Sequence, residues 1–282
     1  MQRAVQVFQE LGHHVDLFPT HAPNTAGAIA RTALEQGATC IVAAGGDGTI
    51  NEVISGLAYS DAPLGILPAG TANVLAAEVG LSKNLSIAAK QLCECSPQRV
   101  PLGKVTVPGR SDRYFLLMAG VGLDAAIIYD LDLPLKQKLG KLAYWHGGFR
   151  QLGRDVSRFK IAVNGREHLA SFVLATRVRN YGGDFEIARK VRLTDREFEI
   201  VVFQNQTPWG YLRFFASIVL NRLEHTKDVL IYRSSEMELY APEDGRIYIQ
   251  ADGEAIGHLP CKVETVPDSL TLLLPEKYIN RG

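Results

Sequence analysis

A glycine-rich turn with one carboxylate, Gly45-Gly46-Asp47-Gly48-Thr49, lies between an apolar segment and a helical one. Glycine permits a positive φ and lets a phosphate oxygen approach the backbone closely. The N–H groups at the start of a helix attract anions, and a carboxylate beside a phosphate handles a cation or a proton. The alternative is a tight strand–helix turn that Thr49 and Glu52 close as a capping box.

A second turn repeats this design downstream, where a buried apolar segment is followed by Pro68, Gly70, Thr71 and Asn73 and then by a helix. Open α/β sheets bind their ligands at the carboxyl ends of their parallel strands. Turns that follow two neighbouring strands would therefore form two walls of one crevice. The pair of turns predicts a phosphate-binding site.

The elements that must position these turns alternate between helix and strand in roughly the first hundred residues. The predicted helices are QRAVQVFQEL, NTAGAIARTALEQG, TINEVISGLA, TANVLAAEVGL and LSIAAKQLCE. The predicted strands are VDLF, CIVAA and LGIL, of which CIVAA lacks alternation and is expected to be buried on both faces. Repeated β–α units predict a parallel sheet covered by helices.

The pattern changes from about residue 99, where strand-like segments separated by turn residues become the rule. Two helical insertions, around 137–153 and 209–222, interrupt these strands. We therefore expect an α/β domain over residues 1–100 and a mainly antiparallel β domain over 101–274, with 275–282 returning to the first. No long linker separates the halves, so a cleft between them is the expected place for a site.

Composition excludes several classes of function. The formal net charge of zero gives no indication of a nucleic-acid partner. The four cysteines are scattered, and Cys93-x-Cys95 lacks metal-binding spacing, which favours reduced thiols in a cytoplasmic protein. The start has no apolar signal-peptide core. The longest apolar stretches contain glycines, Asp124 or Arg213, so any membrane contact is expected to be peripheral.

Several motifs resemble the diacylglycerol kinase catalytic domain that bacterial lipid kinases and sphingosine kinases share. They are GGDGTINEVISGL, LGILPAGTANVLAAEVGL, GVGLDAAII, KLGKLAY, NYGGDFEIARKVRLTDREFEIVVF and IQADGEAIGHLP, in that order along the chain. The resemblance implies a nucleotide-binding α/β domain like that of NAD kinase and phosphofructokinase, followed by a C-terminal β-sandwich. It also implies transfer of the γ-phosphate of ATP to a hydroxyl of a diacylglycerol-like or sphingoid lipid.

The resemblance also implies roles for individual residues, with ATP and Mg²⁺ as cofactors. The catalytic residues would be Asp47 and Glu254, and which of them is the base and which a metal ligand is open. The nucleotide would contact Gly45, Gly46, Asp47, Gly48, Thr49, Gly70, Thr71 and Asn73. The metal ligands would be Asp195, Asp252 and Glu254, with Asp195 and nearby carbonyls holding a structural Mg²⁺ or Ca²⁺. Asp252-Gly253 alone is also typical of a hairpin turn, and Asp195 alone of an exposed loop.

The chain departs from the family pattern in three places. The family has a first strand and an Asn-Pro-x-Ser-Gly-like loop before the helix in which this sequence starts. Val74 stands where the family often has an acid, and Arg196 stands where it usually has a glycine. Two alternatives therefore stay open: a soluble kinase of the NAD-kinase type, and a catalytically impaired homologue that binds nucleotide or lipid.

The expected partner is a lipid substrate at the inner face of a membrane, and a homodimer is left open. The segment 136–160 combines lysines and arginines with Trp145 and Phe149, which suits an anionic lipid surface. The alternative is a helix that packs these aromatic residues inward and leaves its charges in water.

Overall fold

The computed structural model describes residues 1–122, 125, 157–181, 185–243 and 246–281. The chain divides into two compact units, one comprising residues 1–102 and 267–282 and the other residues 103–266. The return to the first unit thus begins at Pro267, within a strand, whereas the sequence prediction places it at residue 275. The predicted helical insertion at 137–153 lies outside the described residues.

The first unit is an α/β fold. Its elements up to residue 93 are α1 (Gln2–Glu10), α2 (Ala26–Glu35), β1 (Ile41–Gly45), α3 (Asp47–Leu57), β2 (Leu64–Pro68), α4 (Val74–Val79) and α5 (Leu85–Cys93). Helical spacing explains the packing of α2, because its buried residues Ala26, Ala30 and Ala33 share one face. All the predicted helices of this region are present, with ends that differ by a few residues.

The strands of the first unit are parallel, as the alternation of elements predicted. β1 pairs with β2 in the register Ile41↔Leu64 to Gly45↔Pro68. β2 is buried along its whole length. The expectation that β1 is buried on both faces is wrong, since β1 pairs with β2 alone among the described strands and Val42 is 38% exposed.

The predicted strand VDLF is absent. Residues 15–18 form neither helix nor strand in the structure. Leu17 and Phe18 are exposed, and no described strand pairs with this segment. An apolar run needs a neighbour with free backbone groups to become a strand, and local pattern does not reveal that neighbour.

The second unit is built from antiparallel strands. Its strands, including two that begin or end in the first unit, are β3 (Ser96–Thr106), β4 (Arg113–Phe115), β5 (Met118–Gly122), β6 (Phe159–Val163), β7 (Arg166–Ala170), β8 (Phe172–Thr176), β9 (Asn180–Tyr181), β10 (Phe185–Glu186), β11 (Phe198–Phe203), β12 (Val229–Ser234), β13 (Glu236–Tyr240), β14 (Tyr248–Ala251), β15 (Glu254–His258) and β16 (Cys261–Leu274). Two α-helices lie entirely within the described residues after β3: α6 (Pro208–Val219) in the second unit and α7 (Glu276–Ile279) in the first.

Two sheets enclose the core of this unit. One has the strand order β12-β11-β8-β5-β14-β15, and the other contains β16-β13-β6-β7. Apolar side chains from both sheets form one buried cluster, to which Val121 and Val202 contribute from the first sheet and Ile161 and Leu239 from the second. This is the antiparallel β-sandwich that the resemblance implied.

Helix α6 covers one end of the first of these sheets with aromatic side chains. The rings of Phe203 and Phe214 stack at a centroid distance of 4.5 Å, and Tyr211 meets Phe203 edge-on at 4.8 Å. The Tyr211 hydroxyl donates a hydrogen bond to Ser171 Oγ (2.8 Å). Burial raises the pKa of Tyr211 above its ordinary value, so the hydroxyl stays protonated.

The contact between α2 and α3 depends on two glycines. A Cβ atom added to Gly56 would lie 2.4 Å from the carbonyl oxygen of Gly27. We expect Gly56→Ala to lower the free energy of unfolding by about 1–3 kcal/mol, because the clash outweighs the better helix propensity of alanine. Urea denaturation measures this change.

Gly65→Ala is the matched control, since a Cβ there would meet only leucine side-chain atoms at 3.4 Å or more. Equal stability of the Gly56→Ala variant and the wild-type chain would contradict the packing argument.

Candidate active site

The two glycine turns meet at the carboxyl ends of β1 and β2. Because these strands are parallel and in register, Gly45 lies beside Pro68. The N–H of Ala69 donates to the carbonyl of Gly45 (3.0 Å). A Cβ atom added to Gly70 would lie 2.3 Å from the Cα of Gly46. The turns therefore touch backbone to backbone.

Close approach, and not a positive φ, explains why glycine occupies these positions. Gly46 has a φ of −84°, and Gly45, Gly48 and Gly70 likewise lie outside the left-handed region. A Cβ on Gly45 would lie 2.7 Å from the Cβ of Thr49. The expected use of positive φ was wrong, and the close approach of a phosphate oxygen to these glycines stays a prediction.

Asn73 fixes the second turn. This residue is buried, has a left-handed backbone (φ 51°) and stands immediately before α4. Its side-chain oxygen accepts from the N–H of Gly70 (2.9 Å), and its amide donates to the carbonyl of the same residue (2.8 Å). Both backbone groups of Gly70 are thus held by one side chain.

Asp47 connects the two turns. It is the first residue of α3, and its Oδ1 accepts from the N–H of Val74, the first residue of α4 (2.8 Å). Burial raises the pKa of Asp47, while N–H groups at the start of α4 partly oppose that rise. The carboxylate thus caps the neighbouring helix.

The predicted capping box does not form. Helix α3 begins at Asp47, two residues before Thr49, and Glu52 points to another helix. Its carboxylate accepts from the N–H groups of Ala26 (3.0 Å), the first residue of α2, and of Asn24 (2.8 Å), two residues before that helix. Glu52 therefore satisfies the N-terminus of α2, a role that local spacing does not predict.

In the second unit, Asp252 and Gly253 form the two-residue turn between β14 and β15. Both have positive φ values, 48° and 79°, as a type I′ hairpin requires. The hairpin alternative for this dipeptide is therefore confirmed. The Asp252 carboxylate also accepts three backbone N–H bonds, from Leu116 (2.8 Å), Leu117 (3.0 Å) and Met118 (2.9 Å).

Glu254 follows this turn as the first residue of β15. Its carboxylate forms an ion pair with the guanidinium of Arg113 on β4. Both side chains are partly exposed, at 35% and 28% respectively. The turn and the ion pair together fix the place of Glu254 in the sheet while leaving the carboxylate accessible.

Asp195 lies apart from this hairpin, in the loop that joins β10 and β11. Its carboxylate accepts from the N–H of Arg192 (3.1 Å) and forms an ion pair with Arg233 (2.9 Å). Within the ranges that the structure describes, no group of three or more His, Cys, Asp or Glu side chains could hold a metal ion by itself.

Comparison with known families assigns both units. The model of the diacylglycerol kinase catalytic domain matches residues 1–105, and that of the YegS C-terminal NAD kinase beta sandwich-like domain matches residues 118–274. The chain belongs to the diacylglycerol kinase catalytic domain family. The glycine turns thus lie in the catalytic-domain match, and the Asp252 hairpin lies in the second.

Individual relatives agree with this family. A diacylglycerol kinase of Bacillus subtilis is 28% identical over 286 residues, which cover 98% of this chain and 91% of the relative. The crystal structure of a putative diacylglycerol kinase from Bacillus anthracis has a TM-score of 0.80 at 22% identity, covering 98% of this chain and 90% of that one. An NAD kinase from Archaeoglobus fulgidus in complex with ATP shares the fold, with a TM-score of 0.54 at 15% identity over 99% of this chain and 92% of that one.

The structure thus groups the site residues into three sets. The first turn, residues 45–49, and the second, residues 70–73, are brought together in the kinase-type first unit. Asp252 and Glu254 share a hairpin in the second unit, and Asp195 belongs to another loop. The roles of all these residues in nucleotide, metal or proton binding stay predictions.

Sequence reasoning missed Arg113 as the partner of Glu254. The pairing joins positions 141 residues apart, so no local pattern shows it. A weak indication was available, because a partly buried carboxylate needs a cation nearby. The strand-like segments RVPLGKVTV and RYFLLMAG each begin with an arginine, Arg99 and Arg113, and their patterns do not single out either one.

The raised pKa of Asp47 gives a prediction on stability. A carboxyl group whose pKa is raised by folding favours the folded state below its unfolded pKa, and this contribution is lost as pH rises through the folded pKa. At neutral pH the charged form therefore lowers stability. Asp47→Asn keeps an oxygen acceptor for Val74 N–H and removes the charge, so we expect a free energy of unfolding equal to or above that of the wild-type chain at pH 7.

The free energy of unfolding is measured by urea denaturation at pH 7 and at pH 4. The stability advantage of Asp47→Asn over the wild-type chain should be smaller at pH 4. Asp47→Ala is the comparison, because it removes the acceptor and should destabilise the fold by about 0.5–2 kcal/mol through the lost helix cap. A less stable asparagine variant at pH 7 would show that the charge itself supports the fold.

Proposed function

We propose that this chain is an ATP-dependent lipid kinase, which transfers the γ-phosphate to a hydroxyl of a diacylglycerol-like or sphingoid lipid. The observation that carries the proposal is the contact between the Gly46 and Gly70 turns at the ends of two parallel strands. Exposed glycine backbone beside a helix start suits phosphate oxygens. Family membership and relatives that are named diacylglycerol kinases support the lipid acceptor.

In the proposed reaction, the acceptor oxygen forms a bond to the γ-phosphorus while the bond to the β–γ bridging oxygen breaks. ADP leaves with that electron pair, and the hydroxyl proton passes to a carboxylate, for which Asp47 and Glu254 are the candidates. Asp47 is held by the N-terminus of α4, and Glu254 by Arg113. Both carboxylates are thus fixed in position before substrate binds, which lowers the cost of orienting them.

Mg²⁺ would neutralise charge on the phosphate oxygens of ATP. The side chains fit such an ion only in part, because no cluster of three suitable ligands exists among the described residues. Asp252 already accepts three N–H bonds, which occupy most of the roughly four acceptor positions of a carboxylate. We therefore propose that phosphate oxygens and water complete the ligands of a magnesium ion held by Asp47 or Glu254.

A soluble kinase of the NAD-kinase type is the second candidate, favoured by the fold similarity to the Archaeoglobus fulgidus enzyme. A single screen separates the two candidates. Purified protein is incubated with labelled ATP in three separate reactions, which contain diacylglycerol, sphingosine or NAD as the acceptor. The lipid-kinase proposal expects a phosphorylated lipid and no NADP, whereas NADP formation alone would support the second candidate.

The same assay tests the two acids. We expect Asp47→Asn and Glu254→Gln each to lower the rate of lipid phosphorylation by about 10²–10³-fold, because each change removes a charge from the reacting groups. Asp61→Asn is the matched control, since its carboxylate is fully exposed and its ion pair with Arg99 (3.3 Å) is of little energetic weight.

Circular dichroism on each variant separates loss of function from loss of fold. Near-normal lipid phosphorylation by both folded variants would remove Asp47 and Glu254 from the proposed site.

We further propose that the lipid is reached at a membrane surface. In the part of the chain that the structure describes, no helix is both long and apolar enough to span a bilayer. Helix α6 and the residue that follows it instead present an exposed apolar face, with Trp209 (78% exposed), Leu212 and Val219 in the helix and Leu220 (65%) at its C-cap, all at helical spacing. Arg213 is exposed beside this face, and the helix contains no acidic residue.

These features suit shallow insertion into an anionic lipid surface. The sequence-based proposal had assigned this role to segment 136–160, most of which lies outside the described residues.

Vesicle co-sedimentation tests the surface of α6. We expect binding to rise with the fraction of anionic lipid and to fall with salt, because surface attraction is screened within a Debye length. Leu220→Glu should weaken binding several-fold by placing a charge on the inserted face. Leu169→Glu is the control, as Leu169 is an exposed residue on β7 (47%). The proposal would be contradicted if binding changed neither with the fraction of anionic lipid, nor with salt, nor in the Leu220→Glu variant.

A further inference from the structure

Four oxygen atoms of the loop between β10 and β11 accept hydrogen bonds from two arginine side chains. They are the carboxylate of Asp195 and the backbone carbonyls of Lys190, Leu193 and Asp195, each of which accepts from an arginine side chain. Carboxylate and carbonyl oxygens are the ligands that Mg²⁺ and Ca²⁺ prefer. The resemblance to the family implied a divalent cation at this place.

Two guanidinium groups already occupy these oxygens. Arg233, on β12, donates to the carbonyl of Lys190 and to Asp195 Oδ2 (2.9 Å), and it pairs with Glu197 (3.3 Å). Arg177, which is fully buried, donates to the carbonyls of Leu193 and of Asp195 (2.9 Å). A planar guanidinium with several N–H donors can join oxygen atoms that lie in different directions.

These residues do not fit a divalent cation. Such an ion would compete with the guanidinium groups for these oxygens, since each of the four oxygen atoms already accepts an N–H bond from an arginine. It would also lie close to two permanent positive charges, the buried Arg177 and the partly exposed Arg233, which would repel it. In addition, Asp195 belongs to no cluster of three metal-binding side chains among the described residues.

We infer that Arg233, together with Arg177, takes the place of a structural divalent cation in residues 190–197. The loop is joined to β12 by Arg233 through an ion pair with Asp195, the ion pair with Glu197 and one hydrogen bond to a carbonyl. Its order is therefore independent of Mg²⁺ and Ca²⁺. Any requirement of this chain for Mg²⁺ then belongs to the nucleotide alone.

Limited trypsin digestion tests this inference on the loop itself, because Lys190, Arg192 and Arg196 are cleavage sites within it. The full chain, free of nucleotide, is digested in EDTA, in millimolar Mg²⁺ and in millimolar Ca²⁺, and mass spectrometry locates the cuts. We expect equal protection of the loop in all three conditions. We also expect no difference in thermal unfolding midpoint between them.

Arg233→Gln should increase cleavage within 190–197 at least several-fold, and Arg233→Lys should restore only part of the protection, because a single ammonium nitrogen cannot occupy the three positions from which the guanidinium nitrogens Nε, Nη1 and Nη2 each meet a different oxygen. Arg213→Gln is the matched control, since it removes the same charge from an exposed position of the same unit. The control should keep the protection of the wild-type loop.

Two results would overturn the inference. The first is protection of the wild-type loop that is lost in EDTA, restored by Mg²⁺ or Ca²⁺ and abolished by Asp195→Asn. The second is an Arg233→Gln variant whose loop is protected as in the Arg213→Gln control. If Arg233→Gln does not fold, the comparison of EDTA with Mg²⁺ and Ca²⁺ on the wild-type chain decides alone.

Discussion

The backbone contact between Gly46 and Gly70 is the constraint on which the candidate site depends. Two parallel strands in register bring the turns that follow them to the same edge of the sheet. A side chain on Gly70 would collide with the Cα of Gly46, so this approach exists only with glycine. Asp47 and Asn73 then hold the two turns through backbone N–H groups. A surface of exposed main chain results, which suits oxygen-rich anions better than apolar ligands.

In both units, carboxylates fix the local structure by accepting hydrogen bonds from backbone N–H groups. Asp47 caps α4, Glu52 caps α2, and Asp252 accepts three N–H bonds from the residues that connect β4 to β5 and from the first residue of β5. Charged acceptors form stronger hydrogen bonds than neutral ones, so these residues define the positions of their neighbours. An acid within a family motif is therefore not always a reactive group, and Asp252 shows this through its contacts.

Arginine side chains pair with three further acids of the second unit. Arg113 faces Glu254, and Arg233 faces Asp195 and Glu197. The first pair is partly exposed, so its carboxylate remains accessible to a substrate or a metal. The second joins the loop between β10 and β11 to β12. Both acids pair with an arginine, but the carboxylate of Glu254 stays accessible whereas that of Asp195 is held in its loop. The difference is that the guanidinium of Arg233 contacts more oxygen atoms than the guanidinium of Arg113 does.

Much of the fold follows from the sequence alone, because its determinants are local. Helical spacing places α2, alternating and continuous apolar runs place most strands, and Asp-Gly predicts the turn of the β14–β15 hairpin. The order of motifs along the chain was sufficient to predict the family and the two kinds of unit. The positions of Gly45 and Gly70 at strand ends were likewise visible in the sequence.

Only the tertiary structure decided which groups these residues contact. Asp47 meets Val74 across 27 residues, Asp252 meets Leu116 across 136, and Arg233 meets Asp195 across 38. VDLF failed as a strand for the same reason, since a strand needs a neighbour that its own sequence does not specify. Local sterics and periodicity limit backbone conformation, whereas the partner of a polar group depends on which distant segments the fold brings within hydrogen-bond reach.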